Sequence, residues 1–316
     1  MYLGIDGGGS RTTAALFSGD GTFLCEASAG SINHYSNPLS VVRDNLAQLL
    51  REVRRKSGIF QFKSVFIGSS ALNGRADEAD VCRLTDGIVQ ADVIGMDSDL
   101  FIALEAMCRE DACAAALCGT GSMAAARDAD GQILHKGGYG YLLGDEGSGY
   151  AIALEAVRRA VRSADGSGEK TALEQAVRAF FQVQDTDELI ERFYDPPIRR
   201  QDVAAFLPQV NACATEGDAC AIRILETQAD DFARTVRALL GTLPDDCPLG
   251  LWGGVFCHVP RFTERFLRSF PDREAAFLPF PPQLGAVFAA MKQTGVRPTA
   301  DVLARVKQTY PDRDVM

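Results

Sequence analysis

The chain has 316 residues, 47% hydrophobic and 23% charged, which suits an ordinary soluble protein with room for one large domain or two smaller ones. Its formal charge of −10 argues against nucleic acid or an anionic membrane as the main partner, because both attract basic patches. Nine scattered cysteines without a CxxC pair indicate reduced thiols. Because the first apparent strand begins at once and no apolar run approaches membrane-spanning length, we expect a cytoplasmic protein without a signal peptide.

The first landmark is the run from Gly4 to Thr13, which reads GIDGGGSRTT. Consecutive glycines followed by hydroxyl residues let the backbone approach an anion, since no Cβ blocks the path and the amides remain able to donate. The flanking pattern predicts strand, loop, strand, turn and strand, whereas dinucleotide and Walker loops open a helix with a different glycine spacing. The run is therefore a candidate phosphate cradle, with a glycine-rich hairpin that binds nothing as the alternative.

The rest of the first half alternates helical and extended patterns. Apolar residues from Val42 to Val53 recur at helical spacing behind Ser40, a typical N-cap residue. Further strands and helices are predicted, in alternation, at Val65 to Ile67, Val81 to Ile88, Val93 to Met96 and Phe101 to Met107. The predicted order of the first half is βββαβαβα.

Past residue 112 the opening pattern repeats, which indicates an internal duplication. An apolar run from Ala114 to Cys118 leads to a second small-residue loop, Gly119 to Ser122, and then to a turn at Asp130 and Gly131. The second half therefore also follows βββα…βαβα, interrupted by helical residues. The predicted boundaries are a first domain at 1–112, a second at 113–298 with a helical insertion at about 165–215, and a C-terminal helix at 299–310 that packs on the first domain.

Seven motifs occur in a fixed order along the chain: Gly4–Thr12, Ser31–His34, Met96–Asp97, Cys118–Ser122, Gly137–Gly140, Gly144–Tyr150 and Gly253–Val255. Together they resemble the sugar kinase, heat-shock ATPase and actin superfamily, and within it the N-acetylglucosamine kinase branch of the BadF/BadG/BcrA/BcrD ATPase family. The likeness covers almost the whole chain. It implies an α/β fold of two actin-like (ribonuclease H-like) ATPase domains, with a cleft between them in which two loops grip a polyphosphate.

The resemblance implies ATP and Mg²⁺ as cofactors. Asp6 would hold Mg²⁺ through water, because that ion keeps much of its hydration shell; the alternative role of Asp6 is to cap a turn. Amides and hydroxyls of the two loops would surround the phosphates, and a glycine pair would let the adenosine lie against the backbone. These nucleotide-binding residues are Gly8, Gly9, Ser10, Arg11, Thr12, Gly119, Thr120, Gly121, Ser122, Gly253 and Gly254.

The catalytic residue that the resemblance favours is Asp97. It follows an apolar strand, and its carboxylate would accept the proton of a sugar hydroxyl as that oxygen attacks the γ-phosphate. Asp99 is the rival base, and in that case Asp97 merely caps the helix that begins near Ser98.

Sugar hydroxyls need donors and acceptors of fixed geometry, which Asn33, Asp145 and Glu146 supply beside Asp97. By resemblance, Asn33 and Asp145 bind the hexosamine. Asp145 and Glu146 also precede a predicted helix, so their alternative role is to complement its positive end. The two roles are compatible.

The function that follows from the resemblance is ATP-dependent phosphorylation of the 6-hydroxyl of a small-molecule amino sugar, with N-acetylglucosamine as the first choice. Two departures from the eukaryotic kinases leave the sugar open: Met123 stands in place of an asparagine, and Tyr139 in place of a tryptophan. Glucosamine and N-acetylmuramic acid are the other choices. The oligomeric state stays open, with a homodimer among the options.

Two other functions fit the same fold. One is an ATP-driven activator of a CoA-ester reductase or dehydratase, which would need thiolates for an iron-sulfur cluster. Cys108, Cys113 and Cys118 are close in sequence, but their spacing matches no cluster motif. The other is a sugar sensor without turnover, although no helix-turn-helix segment precedes the first strand.

Overall fold

A computed structural model describes residues 1–9, 11–72, 74–108 and 111–311. The chain divides into two compact units, the first formed by Met1–Asp111 together with the segment that starts at Leu278, and the second by Ala112–Phe277. The strands, in chain order, are β1 (Tyr2–Gly7), β2 (Arg11–Phe17), β3 (Phe23–Gly30), β4 (Phe62–Ser69), β5 (Ala91–Ser98), β6 (Cys113–Cys118), β7 (Ser122–Arg127), β8 (Ile133–Gly137), β9 (Leu249–Trp252) and β10 (Ala275–Phe277).

The helices account for most of the remaining described residues. In chain order they are α1 (Leu39–Ser57), α2 (Glu78–Thr85), α3 (Asp99–Glu105), α4 (Gly149–Ala164), α5 (Leu173–Phe181), α6 (Thr186–Tyr194), α7 (Arg200–Ala204), α8 (Leu207–Thr215), α9 (Ala219–Leu240), α10 (Gly254–His258), α11 (Pro260–Leu267), α12 (Pro282–Lys292) and α13 (Ala300–Thr309). Within the described ranges, no helix has both the length and the apolar character needed to cross a lipid bilayer.

The first unit is built on a mixed five-stranded sheet with the order β3-β2-β1-β4-β5. β1, β2 and β3 pair antiparallel, while β4 and β5 continue parallel to β1. One face of the sheet packs on α1, whose stripe at Val42, Leu46 and Leu49 is fully buried as its helical spacing predicts. The three parallel strands therefore end side by side at one edge of the sheet.

Glycines allow two close approaches on the other face of this sheet. A Cβ on Gly4 of β1 would overlap the backbone of Gln283 and Val287 in α12. A Cβ on Gly285 of α12 would likewise overlap the backbone of Ile102 in α3. Contact between backbones without side chains in between fixes α12 against β1 and α3.

The second unit has a mixed five-stranded sheet with the order β10-β9-β6-β7-β8. β6, β7 and β8 are antiparallel neighbours, and β9 and β10 run parallel to β6. Small side chains dominate its centre, since Ala114–Ala116 and Ala124–Ala126 are fully buried. α4 and α9 belong to the same buried cluster, and their apolar stripes supply its larger side chains.

The structure confirms the predicted α/β class, with the order βββαβαβα in the first unit. In the second unit α5 to α8 occupy the region predicted as a helical insertion. The predicted domain limit at residue 298 differs from this division, because α12 packs on β1, β4 and α3 and the chain returns to the first unit at Leu278. α13 also belongs to that unit, where the hydroxyl of Thr309 accepts a hydrogen bond from the Phe23 amide at 3.0 Å.

The packing of α12 gives a prediction about stability. Gly4→Ala and Gly285→Ala should each lower the free energy of unfolding by about 1–3 kcal/mol, because a backbone cannot move aside as a side chain can. Chemical denaturation monitored by circular dichroism measures this. Gly19→Ala is the matched control in the same unit, since its Cβ would meet only the ring of Tyr2 at 3.6 Å; equal stability of all three variants would contradict the packing argument.

Candidate functional site

Parallel pairing brings two carboxylates to the same level at one edge of the first sheet. Asp6 of β1 is in register with Gly68 of β4, and Gly68 with Asp97 of β5. Ligands of open α/β sheets bind outside the carboxyl ends of parallel strands. The edge is therefore the candidate site of the first unit.

The carboxyl of Asp6 lies in an unfavourable electrostatic environment. Burial, with a further contribution from the charge of Asp99, raises its pKa to about 7. Burial also raises the pKa of Asp99 to about 6, although the amides of Asp99 and Leu100 partly oppose the rise. Two desolvated carboxylates that repel each other would both be stabilised by a cation between or beside them.

This donor set fits Mg²⁺, which prefers oxygen ligands. No cluster of three or more His, Cys, Asp or Glu side chains able to enclose a metal occurs in the part of the chain that the structure describes. In phosphoryl-transfer sites the usual Mg²⁺ ligands are one or two carboxylates together with water and substrate phosphates. Asp6, with Asp99 close enough to affect its pKa, therefore supplies enough carboxylate ligands for Mg²⁺.

Asp97 is buried at the end of β5. Its Oδ1 accepts hydrogen bonds from the amide and hydroxyl of Ser98, at 2.6 and 3.2 Å. Burial raises the pKa of Asp97, and these two bonds oppose the rise. The cap of α3 is Ser98 itself, whose hydroxyl accepts from the amide of Phe101 at 3.2 Å, so Asp97 does not have the capping role that was its alternative.

Residues that flank the first glycine loop join it to the sheet by hydrogen bonds. Ser31 Oγ donates to the carbonyl of Gly8 at 3.0 Å, and Arg11 Nη2 donates to Ser28 Oγ at 2.7 Å. Thr12 is fully buried and its hydroxyl donates to the carbonyl of Gly30 at 2.9 Å. The side chains of Arg11 and Thr12 thus stabilise the hairpin, and the binding of a nucleotide by Gly8, Gly9, Arg11 and Thr12 stays a prediction; Ser10 lies outside the described residues.

Asn33 is buried and uses both ends of its amide. Its Nδ2 donates to Ser70 Oγ at 2.9 Å, and its Oδ1 accepts from the amides of Tyr35 and Ser36 at 2.8 and 3.3 Å. Ser70 directly follows β4, so this contact connects Asn33 with the edge where Asp6 and Asp97 lie. Sequence reasoning missed Ser70, because a serine after a strand carries no signal of its own.

In the second unit, the loop from Gly119 to Ser122 is bonded to the start of α4. The amide of Gly149 donates to the carbonyl of Gly119 at 2.8 Å, and that of Tyr150 to Thr120 at 3.4 Å. Ser122 Oγ donates to the carbonyl of Glu146 at 2.6 Å, while the Glu146 side chain is exposed. The predicted phosphate loop and the predicted sugar-binding segment are therefore one hydrogen-bonded structure.

Asp145 lies at the centre of this structure and is only 3% exposed. Its backbone has a φ of 63°, a left-handed conformation that is uncommon for residues other than glycine, although Asp adopts it more often than most. Burial raises the pKa of its carboxyl, Arg200 and the amide of Ser122 oppose the rise, and the charge of Glu146 adds to it. Arg200 Nη2 lies 2.7 Å from Asp145 Oδ2. Sequence reasoning missed this arginine, 55 positions further along the chain.

The glycine pair at residues 253 and 254 adjoins the same loop. Gly253 has a φ of 115°, and a Cβ there would overlap the carbonyl of Cys118, the last residue of β6. α10 begins at Gly254, immediately after this contact. The close approach of Gly253 to Cys118 thus shapes the backbone beside the second loop, where the sequence predicts the adenosine.

The predicted site residues fall into one cluster in each unit. The first contains Asp6, Gly8, Gly9, Arg11, Thr12, Asn33 and Asp97, and the second Gly119, Thr120, Gly121, Ser122, Asp145, Glu146, Gly253 and Gly254.

Comparison with known proteins shows the family to which the chain belongs. Residues 3–291 match the BadF/BadG/BcrA/BcrD ATPase family, and the chain belongs to that family. The N-acetylmuramic acid/N-acetylglucosamine kinase of Clostridium acetobutylicum is 29% identical over 300 residues, covering 92% of this chain and 98% of the relative. The N-acetyl-D-glucosamine kinase of Dictyostelium discoideum is 24% identical over 314 residues, with the same two shares.

The fold is also that of solved structures. The crystal structure of a provisionally named N-acetylglucosamine kinase from Chromobacterium violaceum superimposes with a TM-score of 0.75 at 22% identity, covering 90% of this chain and 96% of that one. At this identity the likeness concerns the fold alone.

A matched pair of glycine variants tests the geometry beside the second loop. Gly253→Ala should lower the free energy of unfolding by about 2 kcal/mol or more, because the new Cβ meets the Cys118 carbonyl and its φ suits only glycine. Gly254→Ala should be tolerated, since the nearest atom to its Cβ would be His258 Cδ2 at 3.7 Å. Thermal and urea unfolding of both variants measure the difference, and similar losses from the two would contradict it.

The buried carboxyl of Asp6 predicts a pH dependence of stability. Its native pKa of about 7 exceeds the ordinary 3.8, so between these values the folded protein binds more protons than the unfolded chain, and stability falls as pH rises. Asp6→Asn removes this loss, and the metal-free variant should be more stable than wild type at pH 8.

Urea unfolding of metal-free protein between pH 4.5 and 8 measures this effect. Asp20→Asn is the control of opposite sign, because hydrogen bonds from Ser18 and Thr22 lower the pKa of Asp20 and its ionised form is the favoured one. If Asp6→Asn and wild type showed parallel pH profiles, the carboxyl would not be desolvated in solution.

Proposed function

We propose that the chain is an ATP-dependent kinase that transfers the γ-phosphoryl group to the 6-hydroxyl of an amino sugar, N-acetylglucosamine being the first choice. The observation that carries the proposal is the strand register that brings Asp6 and Asp97 to one edge of the parallel strands. Family membership and the printed activities of the two relatives support it. Glucosamine and N-acetylmuramic acid are the other candidate acceptors.

In this proposal the two small-residue loops hold ATP. Backbone amides near Gly8 and Gly9 would donate to phosphate oxygens from one side, and the loop from Gly119 to Ser122 from the other. Gly253 and Gly254 would adjoin the adenosine. The proposal requires that both loops contact the same nucleotide, so that the cleft expected from the sequence exists when substrates are bound.

Mg²⁺, when bound, would neutralise charge on the transferring phosphoryl group. Asp6 would hold the ion. Burial raises the pKa of Asp6 to about 7, and the charge of a bound cation would oppose this rise and favour the ionised carboxylate. Asp97 would take the proton from the attacking hydroxyl, since burial raises its pKa towards the working pH. Positioning and charge stabilisation would supply most of the acceleration.

Asp99 is the second candidate base, and one observation favours it. Its charge acts on the pKa of Asp6, which means that Asp99 lies on the metal side of the site, and its own pKa of about 6 suits proton transfer near neutral pH. Asp97 has one oxygen occupied by Ser98, whereas the hydrogen bonds to Asp99 come from backbone amides at the start of α3. Both residues therefore enter the test.

Substrate recognition would use Asn33, Asp145 and Glu146 in addition to the base. Asn33 is preorganised by its hydrogen bonds to Ser70 and to the Tyr35 and Ser36 amides. Asp145 is held against the second loop, so a sugar that contacts Asp145 is brought close to the phosphates. We infer that the phosphoryl acceptor is a small-molecule amino sugar.

Asparagine variants of the two aspartates test the chemistry. If Asp97 is the base, Asp97→Asn should lower kcat by about 10²-fold or more with little change in the KM for ATP, because the amide keeps size and hydrogen bonding but accepts no proton. Sugar-dependent ADP release from Mg·ATP measures it. Asp99→Asn is the matched comparison.

The results distinguish Asp97 from Asp99 as the base, and they also test the kinase proposal. Near wild-type turnover of Asp97→Asn together with an inactive Asp99→Asn would assign the base to Asp99. Full activity of both variants would contradict general-base catalysis at this edge of the sheet. No sugar-dependent ADP release by wild type with any amino sugar would contradict the kinase proposal.

The activator alternative is disfavoured by the environment of one cysteine. Cys118 is buried, its thiol donates to the carbonyl of Gly147 at 3.1 Å, and burial raises its pKa well above the ordinary value. An iron-sulfur cluster needs thiolates, which this position opposes. A brown, oxygen-sensitive purified protein would reverse the preference.

A further inference from the structure

Arg200 is a residue of the helical insertion that reaches the second loop. It is the first residue of α7 and contacts Asp145, which precedes α4. A Cβ on Gly121 would overlap Arg200 Nη2 and lie 3.0 Å from Asp145 Oδ2. The ion pair thus fits directly over a glycine of the loop, in space that any other residue at position 121 would fill.

The ring of Tyr141 lies near the guanidinium of Arg200. The Tyr141 ring centre lies 5.9 Å from Arg200 Cζ, and Tyr141 packs edge-on against Tyr150 at 5.2 Å. Cations are stabilised over aromatic faces, the more so when they are partly desolvated. Arg200 is 33% exposed at its side chain and Asp145 only 4%, so the pair is buried on the carboxylate side and open to solvent on the other.

The carboxylate needs this partner. Around Asp145 the other acidic groups are the side chain of Glu146, whose charge raises the pKa of Asp145, and the thiol of Cys118, whose own pKa the Asp145 charge raises. The stabilising groups are Arg200 and the amide of Ser122. Removal of one member of a buried pair leaves the other charge uncompensated, which is more costly than the pair is favourable.

We propose that Arg200 is a positioning residue for sugar binding, and that it holds the Asp145 carboxylate ionised and oriented over Gly121. The inference rests on the proposed function, because it needs Asp145 to accept hydrogen bonds from sugar hydroxyls. Through this contact the insertion from α5 to α8 takes part in sugar recognition, although its sequence carries none of the family motifs. A carboxylate can accept two or more hydrogen bonds from sugar hydroxyls when a second group fixes the orientation of its plane.

Three variants test this role. Arg200→Gln removes the charge and retains a donor, and Arg200→Lys retains the charge. Arg199→Gln is the matched control, because Arg199 is exposed and, among the residues that the structure describes, pairs with Asp202 in the same turn. Arg200→Gln should lower kcat/KM for the sugar by about 10- to 100-fold, because loss of the ion pair leaves the buried Asp145 carboxylate without its charged partner, with the KM for ATP nearly unchanged. Arg200→Lys should recover part of the loss and Arg199→Gln should behave as wild type.

The pH profile separates positioning from a purely structural effect. Without Arg200 the pKa of Asp145 should rise, so the acid limb of kcat/KM for the sugar should move to higher pH in Arg200→Gln and return towards wild type in Arg200→Lys. Equal losses in the kinetics of sugar and ATP, with an unmoved acid limb, would overturn the proposal. Should Arg200→Gln not fold, the acid limbs of kcat/KM for the sugar in Arg200→Lys and in wild type are compared instead, and they decide whether Arg200 has the positioning role.

A second measurement is independent of turnover. The Asp145 carboxyl carbon, assigned in ¹³C-labelled protein with Asp145→Asn as the reference, should titrate at higher pH in Arg200→Gln than in wild type or Arg199→Gln. If wild type phosphorylates no amino sugar while this shift is present, the proposed function fails and the Arg200 contact stands. An unchanged titration in Arg200→Gln overturns the contact itself.

Discussion

The first unit depends on the burial of carboxylates at the ends of parallel strands. Burial raises the pKa of Asp6 to about 7, with a further contribution from the charge of Asp99, and burial raises the pKa of Asp99 to about 6. Proteins place such unfavourable groups where a ligand compensates them. The glycine contacts between β1 and α12 and between α12 and α3 hold the strand ends and the start of α3 in place beneath this site.

In the second unit the equivalent constraint is the close packing of backbone around one loop. Gly121 leaves space for the Arg200 and Asp145 pair, and Gly253 allows the backbone to approach Cys118. The hydrogen bonds from Gly149 and Ser122 then join the loop to the segment that carries Asp145. If the loop binds phosphate and Asp145 binds the sugar, as the proposed function requires, these hydrogen bonds would bring the two substrates together without large rearrangement within this unit.

Local patterns were sufficient to predict most of the fold. The stripe of α1 and the loop-strand-turn units of β1 to β3 and β6 to β8 depend on neighbouring residues, and the structure has them where the sequence predicts them. The position of α12 could not be predicted, because its apolar residues suit either sheet and the choice depends on Gly4 and Gly285, which are distant in sequence. From its place in the sequence we expected α12 in the second domain, whereas its packing places it in the first unit.

The residues of the candidate site also fall into those that could be identified from the sequence and those that could not. Glycines, Asp6, Asp97 and Asp145 stand in motifs and could be named from the sequence. Ser70 and Arg200 could not, since each acts through a partner that is distant along the chain, Asn33 in one case and Asp145 in the other. That Asp99 lies close enough to Asp6 to affect its pKa could not be predicted, because it depends on where β5 ends and α3 begins, a boundary of one or two residues that no periodicity resolves.

The most direct measurement of the central claim is the fate of the γ-phosphoryl group. Purified protein, Mg·ATP and N-acetylglucosamine, glucosamine or N-acetylmuramic acid can be followed by ³¹P NMR, with mass spectrometry of the sugar. The account predicts one equivalent of sugar 6-phosphate for each ADP formed, with at least one of these sugars, and almost no inorganic phosphate. ADP and inorganic phosphate in equal amounts, at a rate that no sugar changes, would contradict it.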